Sequence, residues 1–218
     1  MIDWIRFKEV IAANNSFCLV SHIRPDCDAL GSEIGMACVL ESLGKKVQII
    51  NGDPTPDNIA FIDPTQRIQV IDVDVQQNEI DVDVIMILDT SAWAQLGPMS
   101  EVIKTTSAKI MVLDHHVSAD DLGAEDFKNT TAEATGRLVI EAADALGVSL
   151  TPEMAIPLYA AIATDTGWYR FPATSAQTYR FAARLIDAGA SPSQIYADLY
   201  EQETVGRVRL RGTVLART

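Results

Sequence analysis

The segment Val84-Ile85-Met86-Ile87-Leu88 is five apolar residues with no polar alternation, and it stops at Asp89. A strand of that composition needs cover on both faces, which a parallel sheet between layers of helices provides. Phe17-Cys18-Leu19-Val20, Val47 to Ile50 and Lys109 to Leu113 read the same way, and Ile68 to Val73 reads as a further short strand. Helical periodicity separates them. Residues 3–14 set Trp4, Phe7, Val10 and Ile11 at helical spacing, and 29–43 do the same with Leu30, Ile34, Ala37 and Cys38 before Gly44 as a stop. After about Thr131 the pattern is helical throughout: 132–146, 152–164, 175–188, 192–200 and 203 to the end. Pro152 follows Thr151 and Pro192 follows Ser191, each a capping residue followed by a proline at the first helical position. The expected fold class is α/β: a doubly wound parallel sheet with helices on both faces and a helical C-terminal part.

The length of 218 residues suits one large domain, or one domain plus a fragment of a second. The longest apolar runs are strand-length, far short of a membrane span, and Asp3, Arg6, Lys8 and Glu9 break any signal-peptide pattern. Three unevenly spaced cysteines fit a reducing compartment, so a cytoplasmic protein with no membrane partner is expected. Seventeen Lys and Arg against thirty Asp and Glu leave a net charge of −13, which disfavours stable binding to duplex DNA. Carboxylates gathered around divalent cations would reverse the local sign.

Ligands of an open parallel sheet sit beyond the carboxyl ends of its strands. The first strand runs into Ser21-His22-Ile23-Arg24-Pro25-Asp26-Cys27-Asp28, the strand 82–88 into Asp89-Thr90-Ser91, and the strand 109–113 into Asp114-His115-His116. The chain has three histidines, and all of them lie at these exits. One such histidine is more often a satisfied core or surface residue; three beside acids make a site. Imidazole and carboxylate without thiolate suit Mn²⁺, Mg²⁺, Fe²⁺ or Zn²⁺, and a carboxylate-rich set leans towards Mn²⁺ or Mg²⁺. Two ions sharing a bridging Asp would use so many ligands, and such a pair clamps a phosphoryl group during in-line displacement. The residues therefore read as metal-dependent phosphoester hydrolysis. Taken singly, Asp26 and Asp28 also read as a polar turn with Asp28 as a helix N-cap, and Asp89 as an Asx-type turn. Asp114 reads as the group that orients a histidine.

His22-Ile-Arg-Pro-Asp26-Cys-Asp28-Ala-Leu-Gly-Ser32, Leu88-Asp89-Thr-Ser, Asp114-His115-His116 and Ala163-Thr-Asp165-Thr-Gly167 together resemble the four motifs of the DHH phosphoesterase superfamily. Ala29-Leu30-Gly31-Ser32 resembles its RecJ-like and nanoRNase branch, which includes enzymes that also dephosphorylate 3′-phosphoadenosine 5′-phosphate, more than its pyrophosphatases. The resemblance implies two divalent metal ions, Mn²⁺ foremost with Mg²⁺ as the alternative. It puts one on His22, Asp26 and Asp89, and the other on Asp28, the bridging Asp89, His115 and Asp165. His116 would face the scissile phosphate, and Asp114 would support the histidine pair. Spacing alone leaves Asp165 as a loop acid after a helix. Cys27, between two of these acids, reads as a small packed residue. Two-domain members continue into a substrate-binding domain with a Gly-Gly-Gly-His motif. Residues 1–190 are accordingly expected as the catalytic domain, and 191–218 as a helical connector towards such a domain beyond Thr218.

Arg170, within Trp168-Tyr169-Arg170-Phe171, is a candidate phosphate clamp or else a surface arginine on its aromatic neighbours. Ser32 and Arg137 are further candidates for substrate binding, with a solvated position as the rival for Arg137. Arg207, Arg209 and Arg211 scatter around a helix and read as a solvated connector, and Trp4, Trp93 and Trp168 read as core or rim before base-stacking residues. The expected function is hydrolysis of short oligonucleotides or small nucleotide phosphates, with a homodimer allowed. The rivals are a polyphosphatase, pyrophosphatase or single-strand exonuclease with the same chemistry, and a non-catalytic metal- or nucleotide-binding regulatory domain.

Overall fold

The computed structural model describes residues 2–202 and 204–217. Helix α1 (Trp4–Ala13) starts at Asp3, whose carboxylate accepts from the Arg6 backbone N–H, and leads into β1 (Ser16–Val20). Helix α2 (Cys27–Ser42) and β2 (Lys46–Asn51) follow, then a 3₁₀ helix (Asp57–Ile62), β3 (Ile68–Val70), a second 3₁₀ turn (Gln77–Glu79) and β4 (Val84–Leu88). Short helices α3 (Trp93–Leu96) and α4 (Met99–Thr105) precede β5 (Lys109–Asp114) and β6 (Glu125–Lys128). The remainder is α5 (Thr135–Leu146), α6 (Pro152–Asp165), α7 (Ala176–Asp187), α8 (Pro192–Tyr200) and α9 (Val205–Leu215).

The six strands form one all-parallel sheet in the order β3-β2-β1-β4-β5-β6. Successive side chains of each strand enter opposite cores, which is why the strands are apolar without alternation. Phe17, Leu19, Met86, Leu88, Met111 and Leu113 join the larger core. Cys18, Val20, Ile85, Ile87 and Val112 join the smaller one, beneath α3 and α4. Thirteen of the sixteen residues of α2 are buried, because it is sandwiched between the sheet and α6. A Cβ on Gly31 would lie 2.4 Å from the Pro157 carbonyl oxygen, so only glycine admits this approach of α2 to α6. No described helix is long and apolar enough to cross a membrane.

Several expectations change. The third strand ends at Val70, after which Asp72 turns the chain with φ +62°. The edge strand β6 was not expected: three of the four residues in Glu-Asp-Phe-Lys are charged, and only Phe127 is buried. Nor were α3 and α4, which at four and seven residues are too short for an apolar face to recur over several turns. Asp26, not Asp28, is the N-cap of α2, its Oδ1 accepting from the backbone N–H groups of Asp28 and Ala29. The hydroxyls of Thr151 and Ser191 stand at the N-cap positions of α6 and α8 without a capping bond. The expected helix from 203 begins on a residue outside the described ones; α9 is described from Val205 and has no buried residue.

Candidate metal centre

Chain order reverses between β1 and β4, which are neighbours in the sheet, and a crevice opens at their carboxyl ends. His22 leaves β1 and Asp89 leaves β4 on its two sides, at a His22 Nε2 to Asp89 Oδ2 distance of 3.5 Å. Asp89 has φ +62°, a left-handed conformation that Asp tolerates better than most residues, and it turns the carboxylate back over the strand end. The N-terminus of α2 contributes Asp26 and Asp28, β5 delivers Asp114, His115 and His116, and α6 ends on Asp165. The structure brings seven of the expected ligands and substrate-facing groups into three overlapping sets: His22, Asp26 and Asp89; Asp28, His115 and Asp165; and Asp89, His115 and His116.

Hydrogen bonds fix which imidazole nitrogens are free. His22 Nδ1 lies 2.9 Å from the Ile23 carbonyl and His115 Nδ1 lies 3.2 Å from the Ala132 carbonyl. A carbonyl only accepts, so both Nδ1 atoms carry the proton and both Nε2 atoms present a lone pair. His22 Nε2 faces Asp26 Oδ2 at 3.9 Å as well as Asp89. His115 Nε2 faces Asp28 Oδ2 at 3.7 Å, Asp89 Oδ1 at 3.5 Å and Asp165 Oδ2 at 3.6 Å. These gaps are too long for hydrogen bonds, yet they fall within the span of about 4.2 Å that two bonds of about 2.1 Å to a shared cation cover. His116 differs. Its Nδ1 donates to Asp114 Oδ1 at 2.8 Å, so its place in the third set is not that of a ligand through this atom.

The acids are held from behind. Asp28 is buried, with Oδ2 accepting from the Thr135 N–H at 2.7 Å and Oδ1 from the Gly136 N–H at 2.8 Å, at the N-terminus of α5. A Cβ on Gly136 would lie 2.7 Å from Ala161 Cβ and 3.3 Å from Asp28 Oδ1. Thr135 Oγ1 donates to Asp89 Oδ1 at 2.9 Å. Asp114 is fully enclosed and accepts at Oδ2 from Ser91 Oγ at 2.8 Å and Lys128 Nζ at 2.9 Å. Burial works to raise its pKa, but the bonds from His116, Lys128 and Ser91 outweigh that and hold it well below the usual carboxylate range. Sequence reasoning missed Thr135, Gly136 and Lys128. The Ala-Thr-Gly run near the start of the expected helix 132–146, where α5 in fact begins at Thr135, was a signal for the first two, whereas Lys128 depends on the unexpected edge strand.

Electrostatics favour cations here. Burial, then the neighbouring carboxylates, pushes Asp28 and Asp89 well above the ordinary range, and burial raises Asp165 as well. Desolvated carboxylates that repel one another need compensating positive charge, and Nε2 lone pairs supply none. The donor set of imidazole nitrogens and carboxylate oxygens fits divalent ions of the Mn²⁺, Mg²⁺ or Zn²⁺ kind.

The remaining candidates lie elsewhere. Ser32 is fully buried behind Asp28, its Oγ donating to Asp28 Oδ1 at 3.4 Å, so it faces the acid and not the solvent side. Arg137 is neither solvated nor free: it pairs with Glu133 at 2.8 Å and Glu141 at 2.9 Å over the Phe181 ring. Arg170 is exposed and donates from Nε to the Gly167 carbonyl. Cys27 is packed, its thiol pushed up to about 12 by burial.

The fold gathers, at the carboxyl edge of a parallel α/β sheet, imidazole and carboxylate groups that could hold divalent cations. The chain belongs to the DHH family, whose N-terminal-domain model matches residues 16–162. It is 27% identical over 208 residues to the bifunctional oligoribonuclease and PAP phosphatase NrnA of Bacillus subtilis, covering 94% of this chain and 63% of that protein. The NrnA of Thermus thermophilus is 26% identical, with 94% and 60% covered. An exopolyphosphatase-related protein from Bacteroides fragilis superposes with a TM-score of 0.91 at 25% identity, over 98% of this chain and 64% of its own. The exonuclease RecJ bound to manganese shares the fold, with a TM-score of 0.54 at 10% identity over 92% of this chain and 55% of its own. The chain thus spans less than two thirds of the length of these relatives.

Proposed function

We propose that this chain hydrolyses phosphoester bonds of short oligonucleotides or small nucleotide phosphates with the help of two divalent ions, Mn²⁺ foremost. The observation that carries the reading is the placement of Asp89, which turns Oδ2 towards His22 and Oδ1 towards His115, so one carboxylate serves both ligand sets. His22, Asp26 and Asp89 would hold one ion, and Asp28, Asp89, His115 and Asp165 the other. Bound there, the ions would supply Lewis acidity towards a phosphoryl group and acidify water.

The protein's own groups have distinct tasks in this reading. Asp114 keeps the Nδ1 proton of His116 in place and raises the pKa of that imidazole, so its Nε2 is available to donate to a phosphoryl oxygen. The α5 N-terminus fixes the Asp28 carboxylate, and Thr135 fixes that of Asp89. The names of the NrnA relatives support oligonucleotide and nucleotide-phosphate substrates, and the net charge of −13 supports a substrate with few phosphates. Residues 1–190 are assigned to the catalytic unit and 191–218 to a connector, of which α9 has no buried residue.

The test is Mn²⁺-dependent release of mononucleotide from a labelled RNA dinucleotide, with 3′-phosphoadenosine 5′-phosphate and pyrophosphate run in parallel. Turnover of the nucleotides and not of pyrophosphate is expected. Turnover of pyrophosphate alone would overturn the substrate class, and absence of Mn²⁺ binding would overturn the reading altogether.

A further inference from the structure

Beside the centre, a cavity of about 320 Å³ is lined by Asp26, Asp165 and Tyr200, among others. Tyr200 also lines a second cavity of about 330 Å³, together with Trp168, Arg170 and Tyr196. Three aromatic rings and one guanidinium make an unusual lining. The ring centroids of Trp168 and Tyr196 are 5.0 Å apart, those of Tyr196 and Tyr200 also 5.0 Å, and those of Trp168 and Tyr200 6.0 Å. Tyr196 and Tyr200 stand one turn apart on α8 and are 43% and 47% exposed, so both leave much of a large apolar ring in solvent. The Arg170 guanidinium is tied only through Nε, and its terminal nitrogens have no partner among the described residues. Trp168 Nε1 is buried and also unpartnered.

The backbone makes a costly excursion to build this patch. Gly167, Trp168 and Tyr169 are consecutive left-handed residues, at φ +55°, +56° and +63°. Bulky residues rarely adopt that conformation. Here it carries the indole onto α8 within three residues of Asp165.

We infer that Trp168, Tyr196 and Tyr200 form a nucleobase platform, with Arg170 placed for a phosphate of the same ligand. The inference rests on the phosphoesterase reading for where the reacting phosphate lies. Because Tyr200 borders both cavities, an oligonucleotide seated on the platform with one phosphate at Arg170 can extend a second phosphate towards Asp26 and Asp165. Aromatic rings stack on any base face, and a guanidinium pairs with phosphate in a bidentate fork. A polyphosphate or pyrophosphate would find three rings and one cation, a poor match for its charge. The platform therefore selects nucleotides over inorganic phosphates, and tolerates all bases.

The chain has three tryptophans, so Trp4→Phe with Trp93→Phe leaves Trp168 as the sole indole emitter. In that background AMP and ribose 5-phosphate are titrated separately with Mg²⁺ present, followed by Trp168 fluorescence. AMP is expected to quench saturably, and ribose 5-phosphate, which lacks the base, to leave the emission unchanged. Tyr196→Ala and Tyr200→Ala should each weaken AMP binding about tenfold, while Tyr196→Phe and Tyr200→Phe retain it. Equal responses to the two ligands, no response to AMP, or unaltered AMP affinity in the alanine variants would overturn the platform. The readout needs no turnover. AMP bound on the platform without dinucleotide cleavage would overturn the phosphoesterase reading alone, whereas dinucleotide cleavage with an unaltered KM in both alanine variants would overturn the platform alone.

Discussion

Lys128 holds its Nζ 2.9 Å from Asp114 Oδ2, across the register pair that joins β6 to β5. Asp114 is fully enclosed, and this ammonium is the cation that offsets its charge opposite the hydrogen bond to His116. Removing one partner of a buried ion pair leaves the other charge unpaired, which costs several kcal/mol. Lys128→Met should lower unfolding stability by about 3 kcal/mol, measured by urea denaturation of the metal-free protein. The same variant should reduce dinucleotide turnover, because Asp114 would no longer be held in its bond to His116. Unchanged stability and turnover together would show that Lys128 contributes nothing to the site.

Asp89→Asn separates folding from cation binding. Asparagine tolerates φ +62° as well as aspartate does, so the backbone should survive. Burial and the nearby Asp26 penalise the Asp89 carboxylate in the absence of cations, and the neutral amide removes that penalty. The metal-free variant is expected to be at least as stable as the parent. Mn²⁺ at a hundredfold excess over its Kd should stabilise the parent by about 2.7 kcal/mol, reversibly with EDTA, and the variant far less. A variant that still binds two Mn²⁺ per chain would show that Asp89 does not bridge.

The parts of the molecule that were legible in the sequence share one physical property: they are encoded locally. The runs at β1, β4 and β5 are apolar because both faces are covered, and their polar exits therefore announce the edge where His22, Asp89 and His115 meet. Asp26 divides its carboxylate between two surroundings, since Oδ1 caps α2 while Oδ2 faces His22. What stayed hidden depends on tertiary neighbours. Strand β6 exists because β5 offers it an edge, not because Glu-Asp-Phe-Lys favours a strand. The cradle of Asp28 uses backbone N–H groups of residues 107 and 108 positions away, which no side-chain pattern can disclose. Arg137 lies between Glu133 and Glu141 at i±4, a pairing that its helical spacing did allow one to foresee.

Gly136→Ala probes that cradle. The new methyl group would meet Ala161 Cβ at 2.7 Å and crowd Asp28 Oδ1 at 3.3 Å, so α5 has to move away from α6 or release the carboxylate. Overpacking of this kind costs about 1–3 kcal/mol, and that loss is expected in chemical denaturation. Mn²⁺ affinity should fall as well, read by isothermal titration, because Asp28 would lose its two backbone donors. A variant with parental affinity would place Asp28 outside the ligand set.

Glu33 supplies a pH dependence distinct from that of the centre. It is fully buried on α2, and its Oε2 accepts from Asn51 Nδ2 at 2.9 Å, while Asn51 Oδ1 accepts from the Ser21 N–H one residue before His22. Burial raises its carboxyl from 4.5 to about 7. A pKa raised on folding means that the protonated form is favoured in the folded state, so its contribution is complete below 4.5 and is lost as pH rises through about 7. Over that window the parent should lose up to about 3 kcal/mol relative to Glu33→Gln, whose neutral amide keeps the shape without titrating. Urea midpoints of both proteins across the window, in EDTA, give the difference directly. Parallel pH profiles would assign the slope to other carboxylates and leave Glu33 ionised in the folded protein.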